Sequence, residues 1–296
     1  MMKKHYLIVN PEGGKKKGLH ILKKIKPVFE DVNVELSILK TEYAGHARHY
    51  AETLDYTDYD GLCAIGGDGS MYELINGMLE REDQKMLPIG LITGGTGNSF
   101  MYDVNCLDPI EAAKRISNFK LRPIDIAQVQ TKDENFYAFN IIGWGLATDA
   151  GILAEKLRWL GGIRYDVASI IEVLKGKKRI ATLIVDGKEY KEDFVFIIAC
   201  NTIHTGKAMK MAPHAKLNDG LIDLIIVRKT SRIKLLKLFP KLFSGDHVKS
   251  SLVDYKQVNQ FSIIIEGEDR LTIDGELIGK TPLHVNILPN KINVLV

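Results

Sequence analysis

Two short turns in the first third of the chain carry the residue types that bind phosphate. One is Gly66-Gly67-Asp68-Gly69-Ser70 and the other is Gly94-Gly95-Thr96-Gly97-Asn98-Ser99. Glycine lets backbone N–H groups approach an anion closely, and a helix N-terminus favours negative charge. Ser70 and Glu73 have the spacing of a capping box, and Leu74, Ile75, Met78 and Leu79 give the next helix an apolar face. The first turn is therefore expected just before a helix. Asp68 there would hold Mg²⁺ or orient phosphates. A capping Asp in a tight turn is the plainer alternative, because a carboxylate repels bare phosphate. Asn10-Pro11-Glu12-Gly13-Gly14 leads into Lys15-Lys16-Lys17, cations that would either steer phosphates or simply be solvated.

Other patterns are weaker. Gly275 to Thr281 is one residue short of the Walker phosphate loop and follows a strand-turn signal, so a β-hairpin is expected. The dinucleotide pattern Gly-x-Gly-x-x-Gly is missing. His46 and His49 are spaced i, i+3 with no third ligand in view. Cys63, Cys106 and Cys200 match no zinc spacing, and so sparse a set suits a reducing compartment.

The elements that must position these turns alternate up to about residue 125. Strand-like Tyr6–Asn10, Val34–Leu39, Gly61–Ile65 and Pro88–Thr93 alternate with helix-like Leu19–Glu30, Gly45–Leu54 and Ser70–Leu79, and a further helix is expected after Ser99. Such alternation implies a parallel sheet covered by helices on both faces. The four strand-to-helix junctions then share the carboxyl edge, where ligands bind. From about Asp125 strand-like segments dominate: Phe136–Ile142, Ile180–Asp186, Phe194–Asn201, Leu221–Val227, Phe261–Glu266, Leu271–Asp274 and Val285–Leu288. Two helical stretches, Ile152–Leu160 and Val167–Lys175, interrupt them. A second domain of mainly antiparallel β structure follows. The expected boundaries are 1–125 for the α/β domain, completed by 289–296, and 126–288 for the β-rich domain.

Composition narrows the class. The 296 residues are 45% apolar and 26% charged, with a net charge of +3. These values exclude wholesale disorder and give no charge signal for nucleic acid. The longest apolar run, Phe194–Cys200, is far below the roughly 20 residues of a membrane-spanning helix. A cytoplasmic protein is expected, at most peripheral at the inner membrane face. Ser231–Phe243 mixes cations with bulky apolar residues, which suits a core helix with solvated lysines better than an interfacial one, and Pro240 interrupts either.

Taken together, Asn10-Pro11…Gly14, Gly66-Gly67-Asp68-Gly69-Ser70…Glu73…Asn76-Gly77 and Gly95-Thr96-Gly97-Asn98 resemble the diacylglycerol kinase catalytic family. The resemblance continues through Gly143-Trp144-Gly145…Asp149 and Glu155…Trp159-Leu160-Gly161…Arg164-Tyr165, which look like the sphingosine and ceramide kinase branches. Asp219-Gly220 and Asp274-Gly275-Glu276 look like the family's later metal-site and catalytic motifs.

The resemblance implies a fold like that of NAD and diacylglycerol kinases, an α/β domain followed by an antiparallel β-sandwich. It implies an ATP- and Mg²⁺-dependent lipid kinase acting on diacylglycerol, ceramide or a sphingoid base in phospholipid or lipid metabolism. Nucleotide contacts would come from Asn10, Thr41, Gly66, Gly67, Asp68, Gly69, Ser70, Glu73, Gly95, Thr96, Gly97 and Asn98. Glu276 would be the base for the lipid hydroxyl, with Asp274 and Asp68 in the catalytic set. A Mg²⁺ site would join Asp219 to the carbonyls of Lys216 and Leu221, and Asp125 would stand with Asp68 around the catalytic metal.

The chain departs from the family pattern in places. Ser70 replaces Thr, Thr93 stands for a common Pro, Ser99 replaces an Asp of bacterial members, and Gly151 replaces the amine-binding Asp of sphingosine kinases. The rival readings are an NAD or sugar-phosphate kinase and a non-catalytic nucleotide- or lipid-binding regulator. The expected partner is a lipid substrate, with no nucleic acid, and exposed edge strands permit a homodimer.

Overall fold

Five consecutive buried residues, His5 to Val9, complete the first strand, β1 (Lys3–Val9). A strand buried on both faces belongs in the interior of a parallel sheet, which is where β1 lies. The structure, a computed structural model, describes residues 2–95, 97–206 and 208–296. It divides into two units, Met1–Ile124 with Asn290–Val296, and Asp125–Pro289.

In the first unit β1 is followed by α1 (Gly13–Lys16), α2 (Gly18–Glu30), β2 (Val34–Lys40), α3 (His46–Thr53), β3 (Gly61–Gly66) and α4 (Asp68–Leu79). Then come β4 (Ile89–Thr93), α5 (Ser99–Asp103) and α6 (Pro109–Ser117). The strand order is β2-β1-β3-β4, all parallel. The chain's last residues add Val294 beside Ile89 of β4. The order reverses direction between β1 and β3, the switch point at which open α/β sheets form ligand sites. Helix α2 buries Ile21, Ile25 and Phe29, a stripe of period four. Helix α6 starts with Pro109 behind an Asp108 cap that accepts from the N–H groups of Ile110 and Glu111.

The second unit runs through β5 (Leu121–Thr131), which begins just before it, β6 (Asn135–Ala138), β7 (Ile141–Gly145), α7 (Leu146–Lys156), a 3₁₀ turn over Arg158–Ile163, α8 (Arg164–Lys175) and β8 (Ile180–Val185). It continues with β9 (Lys188–Cys200), β10 (His204–Thr205), β11 (Met209–Lys210), β12 (Ile222–Arg228), α9 (Arg232–Leu238) and α10 (Lys241–Ser244). The final strands are β13 (Val253–Val258), β14 (Gln260–Ile265), β15 (Leu271–Ile273) and β16 (Leu283–Leu295), whose end belongs to the first unit. Strand β9 organises this antiparallel unit. Its first half pairs with β8. Its apolar second half pairs with β7 on one side and β12 on the other. One strand thus contributes to both layers, as strands that switch sheets do in sandwiches.

Two local expectations change. Phe136–Ile142, read as one strand, is two strands with a turn at Phe139-Asn140, because the Asp274 carboxylate accepts the N–H groups of Phe139, Asn140 and Ile141. Strand β16 extends well past the expected Leu288. Ser231–Phe243 does form core helices: Leu235, Leu238 and Leu242 are buried, and Pro240 opens α10.

His5 shows what interior parallel strands cost a polar residue. It is fully buried, stacked on Phe119, opposite Gly61 of β3. A Cβ at residue 61 would lie 2.2 Å from the ring Nδ1, so glycine is required there. Burial lowers the His5 pKa to about 4, so the folded state holds a neutral ring. The unfolded chain takes up the proton first as pH falls. Stability from this group is complete above about pH 6.5 and is lost between there and about pH 4, by about 3 kcal/mol. Thermal unfolding across that range should show this slope in the wild type, and His5→Asn should flatten it.

Candidate active site

The carboxyl ends of β1, β2, β3 and β4 stand side by side. Val9 is in register with Lys40 and with Ile65, and Gly66 with Thr93. The residues that follow these ends are Asn10, Thr41, Gly67 and Gly94, so four loops far apart in sequence share one edge. The Thr41 N–H donates to the Val9 carbonyl at 3.0 Å. The Asn10 Oδ1 accepts the N–H groups of Glu12 at 3.0 Å and Gly13 at 2.9 Å, which folds the first loop into a tight Asx turn.

The two glycine turns form one object. The N–H groups of Gly94 and Gly95 both donate to the Gly66 carbonyl, at 2.8 and 3.0 Å. The Asp68 N–H donates to the Gly97 carbonyl at 3.1 Å. Its carboxylate reaches back across the same junction, accepting the N–H of Ser99 at 2.8 Å and of Phe100 at 3.2 Å, the first turn of α5. The backbones touch: a Cβ at residue 67 would lie 2.3 Å from the Gly97 carbonyl oxygen and 3.1 Å from the Gly95 Cα. A Cβ at residue 95 would lie 2.6 Å from the Gly67 Cα. Gly66 is confined as well, because a Cβ there would run into the Ser70 hydroxyl at 2.0 Å.

Asp68 is thus the cap of its neighbour's helix. Burial raises its pKa, the two amide bonds oppose this, and the charge of Asp103 at the end of α5 adds to the rise. Helix α4 itself starts at Asp68 with no side-chain cap on its N-terminus. With the Asp68 N–H taken by the Gly97 carbonyl, the remaining first-turn amides are those of Gly69 and Ser70, of the kind that bind anions at other phosphate-binding helix starts. Asn98 donates through Nδ2 to the Gly95 carbonyl at 3.1 Å, while its buried Oδ1 has no partner among the described residues. Gly69 and Ser70 lie in the first turn of α4. Thr96 lies outside the described residues.

The capping box expected from Ser70 and Glu73 does not form, because the helix begins two residues before Ser70. Glu73 instead turns sideways to the start of α3. Its carboxylate accepts the N–H groups of Gly45 at 3.2 Å, Ala47 at 3.0 Å and Arg48 at 3.3 Å. Glycine again permits the contact, since Gly45 has φ of +86°.

In the second unit Asp274 and Gly275 both have positive φ, +50° and +92°, the signature of a two-residue hairpin turn. Ile273 and Glu276 exchange backbone hydrogen bonds of 2.9 and 2.8 Å across it. The hairpin reading of this segment is therefore the one that holds. Asp274 anchors the turn through the three N–H groups already described, and Glu276 stands exposed beyond it.

Asp125 is fully buried and its Oδ2 accepts the Gly220 N–H at 2.6 Å, so it braces the loop that carries Asp219. The Asp219 Oδ1 accepts the Leu221 N–H at 3.1 Å, and Asp219 and Lys216 are exposed. Behind them Asp223 is buried. Its Oδ1 accepts from the Tyr255 hydroxyl and from Gln257 Nε2, and its Oδ2 has no partner among the described residues. Burial raises the Asp223 pKa and the charge of Asp219 adds to the effect. Sequence reasoning passed over Asp223. Its signal is one acid inside the apolar run Ile222–Val227. Among the described residues no three His, Cys, Asp or Glu side chains converge as a metal cluster.

This fold and these loops are shared with known proteins. Residues 4–129 match the diacylglycerol kinase catalytic domain, and residues 140–296 match the YegS C-terminal NAD kinase beta sandwich-like domain. The chain belongs to the diacylglycerol kinase catalytic family. Sphingosine kinase 1 of Arabidopsis thaliana is 31% identical over 310 residues, which cover 88% of this chain and 64% of that protein's length. Diacylglycerol kinase of Bacillus subtilis (strain 168) is 28% identical over 285 residues, covering 95% of this chain and 92% of the relative. The crystal structure of a diacylglycerol kinase from Bacillus anthracis str. Sterne superposes with a TM-score of 0.82 at 25% identity, covering 99% of this chain and 96% of that one.

The junction predicts its own failure. Gly67→Ala must push the Gly97 carbonyl away, and Asp68→Asn replaces one amide acceptor with a donor facing an N–H. Each should lower stability by about 1–3 kcal/mol, read as a fall in melting temperature. The two losses should be far from additive in the double variant, because both act on one contact.

Proposed function

We propose that the chain is an ATP-dependent lipid kinase whose acceptor is the hydroxyl of a lipid with an uncharged head, of the diacylglycerol type. The observation that carries the reading is the fused pair of glycine turns beside an uncapped helix start, an arrangement that holds phosphate oxygens by backbone N–H groups. Asn10, Thr41, Gly66 to Ser70, Glu73 and Gly95 to Asn98 are its nucleotide-binding set. Within that set Asp68 and Glu73 act by fixing loops, and the amides of Gly69 and Ser70 face the phosphates.

The acceptor hydroxyl gives its proton to Glu276, its oxygen attacks the terminal phosphorus of ATP, and the bond to ADP breaks. Phosphoryl transfer of this kind needs positioning and charge neutralisation more than covalent chemistry. Asp274 keeps the hairpin in place for Glu276. The carboxylate of Asp219 and the carbonyls of Lys216 and Leu221 are hard oxygen donors on an exposed loop, a set suited to a hydrated Mg²⁺. That ion, when bound, supplies positive charge to the loop braced by Asp125.

The preference for an uncharged head rests on residue 151. At Gly151 a Cβ would meet Leu277 at 3.4 Å and the Thr272 hydroxyl at 3.9 Å, and no acid of the described residues lies within 4 Å of it. The acid two residues earlier, Asp149, is paired with Arg179 and with Lys177. An ammonium head group finds no counter-ion in these contacts.

Transfer of labelled phosphate from ATP to diacylglycerol, ceramide, sphingosine, NAD and fructose 6-phosphate tests the reading. Label should enter the neutral lipids; label on NAD or the sugar alone would refute it. Glu276→Gln should leave nucleotide affinity intact and lower turnover by roughly 10²–10⁴-fold. Gly151→Asp should raise sphingosine phosphorylation relative to diacylglycerol.

A further inference from the structure

The segment from His214 to Asp223 is a loop closed at its neck. Tyr255, on β13, accepts the His214 N–H through its hydroxyl at 3.4 Å and donates the hydroxyl proton to Asp223 Oδ1 at the other end. Gln257 Nε2 donates to the same oxygen at 3.1 Å. Residues two apart on a strand share a face, so both donors reach Asp223 from one side. Within the loop Asp125 holds the middle. Its N–H donates to the Leu217 carbonyl at 2.7 Å, and its Oδ2 accepts the Gly220 N–H at 2.6 Å. Between the two ends of the loop lie the oxygens read above as ligands of Mg²⁺, the carboxylate of Asp219 and the carbonyls of Lys216 and Leu221.

One atom in this arrangement is unused. Asp223 is 1% exposed, and its Oδ2 has no hydrogen-bond partner among the described residues. A buried carboxylate oxygen is costly without a donor, and a native fold supplies one from protein, ordered water or an ion's shell. The side-chain donors at Asp223, Tyr255 and Gln257, both serve Oδ1. Two positions before Asp223 the Leu221 N–H donates to Asp219 Oδ1 at 3.1 Å, which folds the Asp219 carboxylate back toward the start of β12. Mg²⁺ gives up its waters reluctantly, and three ligands leave about half of its octahedral shell to water. Those waters have hydrogens to donate.

We propose that Asp223 is a positioning residue of the Mg²⁺ loop. Its Oδ2 accepts a hydrogen bond from a water of the ion's shell, while its Oδ1 keeps the neck shut. The inference rests on the reading of Asp219, Lys216 and Leu221 as the ligands, and it adds to them an acid that does not touch the ion. Groups behind the ligands set the orientation of a metal's shell, and losing one weakens binding by roughly 10–100-fold. A lone ordered water would also satisfy Oδ2, but it would give Asp223 no bearing on magnesium.

The test uses MgCl₂ alone, without nucleotide, and reads the melting temperature of the full chain against its concentration. The wild type should be stabilised by MgCl₂ and not by NaCl of equal ionic strength. Asp223→Asn keeps a carbonyl oxygen for Tyr255 and Gln257, so the neck stays closed, and puts an amide donor where Oδ2 was. It should need roughly 10–100-fold more MgCl₂ for the same rise. Tyr255→Phe opens the neck and leaves Oδ2 in place, and it should need at most about threefold more. A role in the fold alone reverses the order of the two variants. An unchanged response in Asp223→Asn, or a loss of about tenfold or more in Tyr255→Phe, overturns the assignment of Asp223 and leaves the ligand reading standing. Should Asp223→Asn not fold, Tyr255→Phe decides alone. A wild type indifferent to MgCl₂, or an Asp219→Ala variant that responds like the wild type, refutes the ligand reading and the role of Asp223 with it.

Discussion

Everything at the carboxyl edge of the first unit's sheet depends on one close contact, the approach of Gly67 to Gly95 and Gly97. Parallel strands β3 and β4 bring the two turns to adjacent positions, but adjacency alone leaves a gap that two side chains would fill. Removing both Cβ atoms lets the backbones meet, and Asp68 then closes the junction from both ends, by its N–H and by its carboxylate. Loops already joined by backbone hydrogen bonds cost less to organise around an anion than loops that must first be brought together.

The same device recurs through the molecule. Asn10, Asp68, Glu73, Asp125 and Asp274 each turn a side-chain oxygen to backbone N–H groups of a loop or helix start. Asn10 and Asp274 follow the ends of β1 and β15, Asp68 opens α4, and Glu73 and Asp125 lie within α4 and β5. Acids picked out by their chemistry are, in this chain, mostly positioning groups. Those left facing solvent, Glu276 and Asp219, are held at the tips of turns that the buried acids secure.

The alternation of strand and helix before residue 125 was readable because each parallel strand is short, apolar and closed by glycine or a polar turn. The glycine turns were readable too, since their composition has few uses other than close backbone approach. What could not be read was the direction of each acid. Ser70 and Glu73 have capping-box spacing, but the start of α4 is set by the approach of Gly67 to its neighbour, and that leaves Glu73 facing α3. The strand at 136–142 breaks with no glycine or proline to mark it, since the cause is a carboxylate 135 residues further on. Asp223 went unnoticed because a single acid in a strand gives no periodic signal; its partners Tyr255 and Gln257 come from the next strand of the sheet.

The return of residues 290–296 to the first unit has a bearing on how the chain is made. Ile292, Val294 and Leu295 are buried there, and Val294 lies against β4. The first unit's sheet is therefore complete only when residues from both sides of the second unit in sequence have come together. Until then the outer side of β4 offers unpaired backbone to whatever strand comes near. Closing that sheet joins residues about 200 positions apart in sequence, a pairing of the kind that forms more slowly than local ones.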